Sequence, residues 1–412
     1  MTIITGHSDV TSTAAKENSS MRIEMPLAAG GKYAVSVATV PDQLQTWIPA
    51  WEELSSQVAD PNVFYEPWCF LPAAKHLAPH RDWRILLIER PDPAAPGGWK
   101  LCGFFPFVSG RGPARLRKLS LWQHPYCFLT NPLLERGHES NLFRTLFQSL
   151  HRPELSAGCL EFPLLAGEGP VHAALVEVTR EQLCTTFRSD HYLRATTSYS
   201  GDCQERLKDA VGGHHFREYK RQRRKLEALG QLEYRFLNDI RFTDLWVDWF
   251  LELEAAGWKA RAGTAMQMNP DDARFFREVV QQGMACDRVY LEGLFLDGEP
   301  IALKCNLLSP PQAFAFKIAF DETHRKFSPG QQLEFESMSH LQQRDSISTA
   351  DSCAAPGHPM IDRIWKERRV IQNLLVSTGS GCSELVIGSL PLMRSLNRVR
   401  RKSLTSLLGK KN

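Results

Sequence analysis

The sequence predicts a mixed α/β (α+β) protein made of two domains in tandem. Three observations carry this. The 412 residues exceed what one hydrophobic core ordinarily fills. Apolar runs of strand period alternate with runs of helical period. The order of elements in the first half returns, more clearly, in the second. Hydrophobic residues at 43 % and charged residues at 23 % are the balance of a globular chain and exclude collagen, coiled coil and disorder throughout.

Residues 1–30 are polar and Ser/Thr-rich, lack the apolar core of a secretory signal, and read as a disordered tail. The first domain spans 31–195. KYAVSVATV is a strand, and Leu44, Trp47, Ile48, Trp51 and Leu54 fall on one helical face. Phe64 to Leu77 reads as a second helix; WRILLIER and KLCGFFPFVSG are strands around a turn-rich gap. A basic loop follows with Arg111, Arg115, Arg117 and Lys118, then a strand region broken at Pro125. Residues 140–151 and 170–180 read as helices around the strand CLEFPLL.

The second domain spans 196–392. Residues 204–229 form a long basic helix, QLEYRFLN a strand, and 240–257 an amphipathic helix rich in Trp and Phe. Asn269-Pro270-Asp271-Asp272 is a helix start, with a capping Asn, Pro in the first turn and acids at the positive dipole end. Asp297-Gly298 marks a hairpin between two strands. In QAFAFKIAFDE, Phe314, Phe316, Ile318 and Phe320 alternate onto one face, with small residues and Lys317 on the other. A helix over 331–344, a strand at ISTADSC, a short helix around Asp362–Lys366, and strands near 371–376 and 384–388 complete the domain.

The formal charge of +3 is too small to mark a nucleic-acid binder by itself, but it is unevenly spread. Residues 206–225 hold eight basic and two acidic residues, and 394–411 hold seven basic and none acidic, so the body between is mildly acidic. The first segment fits a solvated helix, an anionic acceptor, a membrane face or RNA. The basic tail, 393–412, interleaves Leu396, Val399, Leu404, Leu407 and Leu408 and fits a membrane-surface helix. No run reaches about 18 apolar residues, so no membrane span is expected. The 10 cysteines stand singly, without CxxC or a zinc spacing, as expected of reduced thiols in a cytoplasmic protein; no metal is expected.

The most informative junction is His324-Arg325-Lys326-Phe327-Ser328-Pro329-Gly330-Gln331-Gln332, a strand running through a turn into a helix. Free N–H groups at a helix start make an anion site, and Arg325 and Lys326 add charge beside it. An ordinary strand–helix connection fits the same residues. FLELEAAGWKARAGTA, LDGEPIALKCNLL, AFKIAFDETHRKFSPGQQL and ADSCAAPGHPMIDRIWKERR resemble GNAT-fold acyltransferases of the CelD type. These are associated with cellulose or exopolysaccharide biosynthesis and are similar in architecture to the FemAB peptidyl-transferases, with two GNAT-like domains in tandem. The resemblance covers residues 200–390 well and 35–195 only in architecture.

The resemblance implies an acyl-CoA bound in the second domain, with its pyrophosphate over Arg325, Ser328, Pro329, Gly330, Gln331 and Gln332, although the second glycine usual in that turn is missing. It also implies an acceptor pocket at Glu254, Trp258 and Lys259, which Lys317 approaches unless it turns to solvent. Transfer to an amine needs a base and a proton donor for the thiolate; Asp351 and His358 supply these group types. As a turn cap and a hydrogen-bonded loop residue, respectively, they have structural readings too. Cys353 reads as a buried thiol. The expected activity is direct transfer of an acetyl or longer acyl group to an amine or hydroxyl of a small-molecule or polysaccharide-related acceptor. The alternatives are a FemAB-like transferase using aminoacyl-tRNA and a non-catalytic accessory protein of exopolysaccharide biosynthesis.

Overall fold

A strand edge left unpaired halfway along the sheet dominates the architecture, and the rest of the fold explains how it arises. The computed structural model describes residues 23–26, 32–78, 80–201 and 203–408. In chain order the first half supplies β1 (Ile23–Pro26), β2 (Lys32–Ala38), α1 (Ile48–Ser56), α2 (Pro67–Leu77), β3 (Trp83–Pro91), β4 (Trp99–Arg111), β5 (Arg117–Leu121), β6 (Leu133–Leu134), α3 (Glu139–Ser149), β7 (Cys159–Ala166), α4 (Pro170–Glu181) and β8 (Thr186–Ser198). The second half supplies α5 (Cys203–Glu227), β9 (Leu232–Phe236), α6 (Thr243–Ala256), α7 (Trp258–Arg261), α8 (Pro270–Ala285), β10 (Val289–Leu296), β11 (Glu299–Ser309), β12 (Gln312–Phe320), α9 (Pro329–Gln342), β13 (Thr349–Asp351), α10 (Ile361–Ile364), β14 (Glu367–Ser377) and α11 (Gly381–Leu408).

The described strands form one 14-stranded sheet, ordered β1-β2-β3-β4-β5-β7-β14-β8-β13-β12-β11-β10-β9, with β6 beside β4. Pairing is antiparallel except between β5 and β7 and between β12 and β13. The mixed α/β class expected from the sequence holds. The two halves meet by exchange: β14, late in the chain, lies between β7 and β8 of the first half. One core cluster, holding Trp51, Phe70, Trp83 and Trp122 together with Phe250, Phe275, Phe276 and Phe314, runs across both halves on one face of the sheet. Separate clusters fill the opposite face under α3 and α4 and under α5 and α9.

Local chemistry explains the elements. Asn269 caps α8 by accepting the Asp271 N–H at 3.1 Å, and Asp297 and Gly298 turn β10 into β11 with positive φ at both residues. Five expectations need correction. Segment 384–388 is helical, within α11: the Ser380 hydroxyl accepts the Ser383 N–H at 3.2 Å, and Ile387 and Leu390, three apart, pack on Cys159 and Leu375. Residues 186–198, given no element by the sequence, form β8; its first residues are mostly exposed on both faces, so no apolar alternation announces them. The 204–229 helix is interrupted at Gly212, where φ is +79°. Residues 23–26, within the expected tail, pair with β2; the rest of 1–31 lies outside the described residues.

The alternation in β12 also breaks. A bulge opposite Cys305 and Asn306 inserts one residue. Phe314 and Phe316 therefore enter the shared core, whereas Ile318 and Phe320 pack on the opposite face beside Phe327 and Leu333.

Candidate functional site

β12 is paired with β13 only where Gln312–Phe314 meets Thr349–Asp351. Past Phe314, β12 continues to Phe320 on β11 alone, while the chain after Asp351 turns away: the Asp351 carboxylate accepts the Cys353 N–H at 2.8 Å and Cys353 has φ +54°. Two neighbouring strands thus part, leaving a slot with one wall formed by an edge of β12 that has no partner strand among the described residues; on it the Ile318 carbonyl accepts from Lys259 Nζ at 3.3 Å.

The slot ends at the turn into α9. Asp321 caps a short 3-10 turn, Glu322–Phe327, by accepting the Thr323 N–H at 2.8 Å, and binds His324 Nδ1 at 2.8 Å. Ser328 takes left-handed backbone angles (φ 52°, ψ 53°) as it enters α9, a conformation costly for a side-chain-bearing residue. Its carbonyl accepts the N–H groups of Gln331 and Gln332 at 2.9 and 3.0 Å. Pro329 opens the helix and is buried, as is Gly330, where an added Cβ would lie 3.3 Å from Phe320. Gly330 therefore lets the helix sit close on β12. Gln331 is half-buried. Gln332 is fully buried; its amide donates to the Tyr219 carbonyl at 3.3 Å, tying α9 to α5, and its Oε1 has no partner. Arg325 and Lys326 are exposed beside the positive end of α9.

Along the other face of β12, three residues singled out in the sequence come together. Glu254, buried at the end of α6, accepts from Lys259 Nζ at 2.7 Å, from Lys317 Nζ at 3.3 Å, and from the Met266 N–H at 2.9 Å. Burial pushes the Glu254 carboxyl up, but the two lysines and these hydrogen bonds outweigh it and hold it below the usual range. Lys317 is the counterpart: burial, more than its charged neighbours, holds its ammonium below the usual lysine range. The bulge turns Lys317 toward this cluster, where its Nζ lies 4.7 Å from the centre of the Tyr126 ring. Trp258 opens α7, and its side chain lies outside the described residues.

Asp351 and His358 are not joined to this cluster by any bond or ion pair described. Asp351, fully buried, lies between two guanidiniums, Arg194 and Arg369, each at 3.5 Å. Arg194 is itself buried and donates to the Phe128 carbonyl at 2.6 Å and to the Tyr192 hydroxyl at 2.7 Å. Burial opposes its charge, but Asp351 and the groups around it prevail and raise its pKa. Asp351 thus anchors the first half's 122–131 segment at the mouth of the slot. His358 accepts the Ile361 N–H through Nδ1 at 3.2 Å, at the start of α10.

Sequence reasoning missed the first-half side of the site. The 122–131 segment brings His124, Tyr126 and Phe128 against Phe275 and Phe316, and the Tyr126 hydroxyl donates to Asp272 at 2.7 Å. A polar His-Pro-Tyr inside an otherwise apolar stretch was the available signal; for Arg194, in the unread β8, there was none. Also unforeseen is a buried layer under α9: Lys304 pairs with Glu334 at 2.8 Å, and Asn306 and Tyr234 donate to Glu292 at 2.6 and 2.7 Å. Among the described residues, no group of three His, Cys, Asp or Glu is arranged to hold a metal ion.

Residues 213–358, which include β12, the turn and β13, match the family model described as an acetyltransferase (GNAT) domain. No curated protein sequence matches the chain. Among solved structures, FemX superposes with a TM-score of 0.54 at 8 % identity, over 82 % of this chain and 98 % of that one. A conserved protein of unknown function from Bacteroides thetaiotaomicron VPI-5482 gives 0.50 at 8 %, over 83 % and 98 %. A tandem GNAT protein from the clavulanic acid biosynthesis pathway gives 0.38 at 13 %, over 85 % and 99 %. The fold is thus GNAT-like, with the matched domain in the second half. The CelD type expected from the sequence is not among these findings.

Proposed function

We propose that the chain is an acyltransferase that takes an acetyl or longer acyl group from acyl-CoA and passes it directly to an amine or hydroxyl of a small-molecule or envelope-polysaccharide-related acceptor. The observation that carries this reading is the parting of β12 from β13 immediately before the turn into α9. It sets a strand edge without a partner strand, suited to an extended amide-bearing chain, against a helix start suited to phosphate. Acyl-CoA offers both, together with the activated thioester.

In this reading Arg325, Ser328, Pro329, Gly330, Gln331 and Gln332 form the phosphate end, with Arg325 supplying mobile charge and Gln332 fixing α9 on α5. Glu254, Lys259, Lys317 and Trp258 form the acceptor end. Lys317 handles the proton: its buried ammonium gives up a proton more readily than an exposed lysine, and Glu254 keeps it oriented. Asp351 and His358, which the sequence offered as catalytic, take positioning roles: Asp351 through Arg194 and Arg369, His358 through α10.

One observation favours a second reading. An open groove of about 640 Å³ between α5 and α9 is lined by Phe216, Tyr219, Lys220, Arg223, Arg224 and Phe335, with Glu336 also in the wall and paired to Arg223 at 2.8 Å. Rings with cations suit a nucleotide, so a larger ribonucleotide-borne donor such as aminoacyl-tRNA would reach the slot along this groove.

The test is thermal unfolding with acetyl-CoA, followed by thiol release with panels of amines and hydroxyl compounds. Acetyl-CoA is expected to raise the melting temperature. Arg325→Ala should weaken that shift, and Lys317→Met should keep it while losing transfer by about a hundredfold or more. No shift with any acyl-CoA would overturn the reading; a shift with aminoacyl-tRNA alone would favour the second.

A further inference from the structure

Over residues 381–396, α11 is covered on one side only. Ile387 is fully buried and Leu390 half-buried against Leu375, Leu116 and Phe187. On its other side Leu385, Leu392, Met393 and Leu396 are 78 %, 64 %, 53 % and 61 % exposed. Residues 385, 392 and 396 stand seven and four apart, which places them in one row along a helix.

The surroundings of that row are basic. Leu116, in the loop between β4 and β5, packs into the same small cluster as Ile387. The loop thereby sets exposed Arg115 beside the helix, and exposed Arg111, the last residue of β4, donates to the Arg115 carbonyl at 3.4 Å. Arg394 lies 5.1 Å from the centre of the Phe187 ring. Of the acids near this cluster, Glu384 is occupied by the Thr185 N–H at 2.9 Å and by Ser377, and Glu161 by Lys118 at 2.5 Å. Further on, residues 394–411 carry seven basic residues and no acidic one.

An apolar row flanked by Arg111, Arg115 and Arg394, none of them in an ion pair among the described residues, narrows the occupant. A second copy docked on this row would bring two such basic segments together. A nucleic acid would meet the charge and leave the leucines in water. An anionic bilayer meets both, taking the leucines below the headgroups and the arginines at them. Among the described residues no helix is long and apolar enough to cross a membrane, so the contact is one of lying on the surface.

We propose that α11 and the β4–β5 loop form a docking surface for an anionic lipid bilayer. The inference is independent of the acyltransfer reading. It is tested by co-sedimentation of the full chain with mixed phosphatidylcholine–phosphatidylglycerol vesicles and with pure phosphatidylcholine vesicles. Binding is expected to the mixed vesicles only and to weaken with salt. Leu392→Ser with Leu396→Ser should reduce it by about tenfold or more, and Arg111→Gln with Arg115→Gln by several-fold. All four residues are exposed, so circular dichroism should show the fold unchanged. Equal binding to both vesicles, binding indifferent to the leucine substitutions, or no binding at low salt would overturn the proposal. So would concentration-dependent self-association lost on the same substitutions without vesicle binding.

Discussion

Two buried titratable residues of the first half set opposing dependences on pH. His124 is buried with its Nε2 unpartnered, and burial lowers its pKa from 6.5 to about 3. The unfolded chain therefore takes up that proton first: the stability His124 confers is present above pH 6.5 and is lost as pH falls toward 3. Glu66 is the reverse. Burial raises it from 4.5 to about 7, so its contribution is present below pH 4.5 and is lost as pH rises to 7. Between pH 4.5 and 6.5 the two slopes oppose each other. Denaturant titrations of His124→Phe should therefore show stability rising, relative to the parent, as pH falls through that window, at about 1.4 kcal/mol per pH unit. Glu66→Gln should show the opposite trend. Parallel profiles for parent and variants would refute this account. Neither behaviour is legible in the sequence, because a lone His beside Pro125 gives no sign of how deeply it is buried.

At the scale of elements, strong period and turn chemistry made most of the fold legible. The Asn269-Pro270 start of α8, the Asp297-Gly298 turn and the apolar stripe of α6 each fix a local structure without outside help. Legibility failed where pairing partners come from afar. β8 owes its existence to β14 and β13, and the bulge in β12 is a property of its register on β11. For the same reason the sequence gathered Glu254, Lys259 and Lys317 into one site, all from the matched half, but not Tyr126 or Arg194. Helix contacts are testable here too. A Cβ on Gly283 of α8 would lie 2.3 Å from Val289 and 2.7 Å from Trp68 of α2. Gly283→Ala should thus cost about 1–3 kcal/mol through overpacking, read from chemical denaturation midpoints. An unchanged midpoint would show that the two helices are not so closely set.

For the molecule as a whole, the exchange of β14 is the decisive feature. Its residues divide between cores, Ile371 joining the cluster that spans both halves and Leu374 and Val376 joining the one under α3 and α4. With one sheet and one shared core, the two halves are expected to unfold together, in a single calorimetric transition whose calorimetric and van't Hoff enthalpies agree. Two resolved transitions would contradict that. The same continuity lets first-half residues reach a slot made by second-half strands: Arg194 links the 122–131 segment to Asp351, and Tyr126 closes on Lys317. Amide hydrogen exchange with and without acetyl-CoA tests the central claim, that this slot is where the acyl donor lies, most directly. The account predicts added protection concentrated in residues 315–332, along the edge of β12 that lacks a partner strand and the first turn of α9. Protection confined to the α5–α9 groove, or none anywhere at saturating acetyl-CoA, would contradict it.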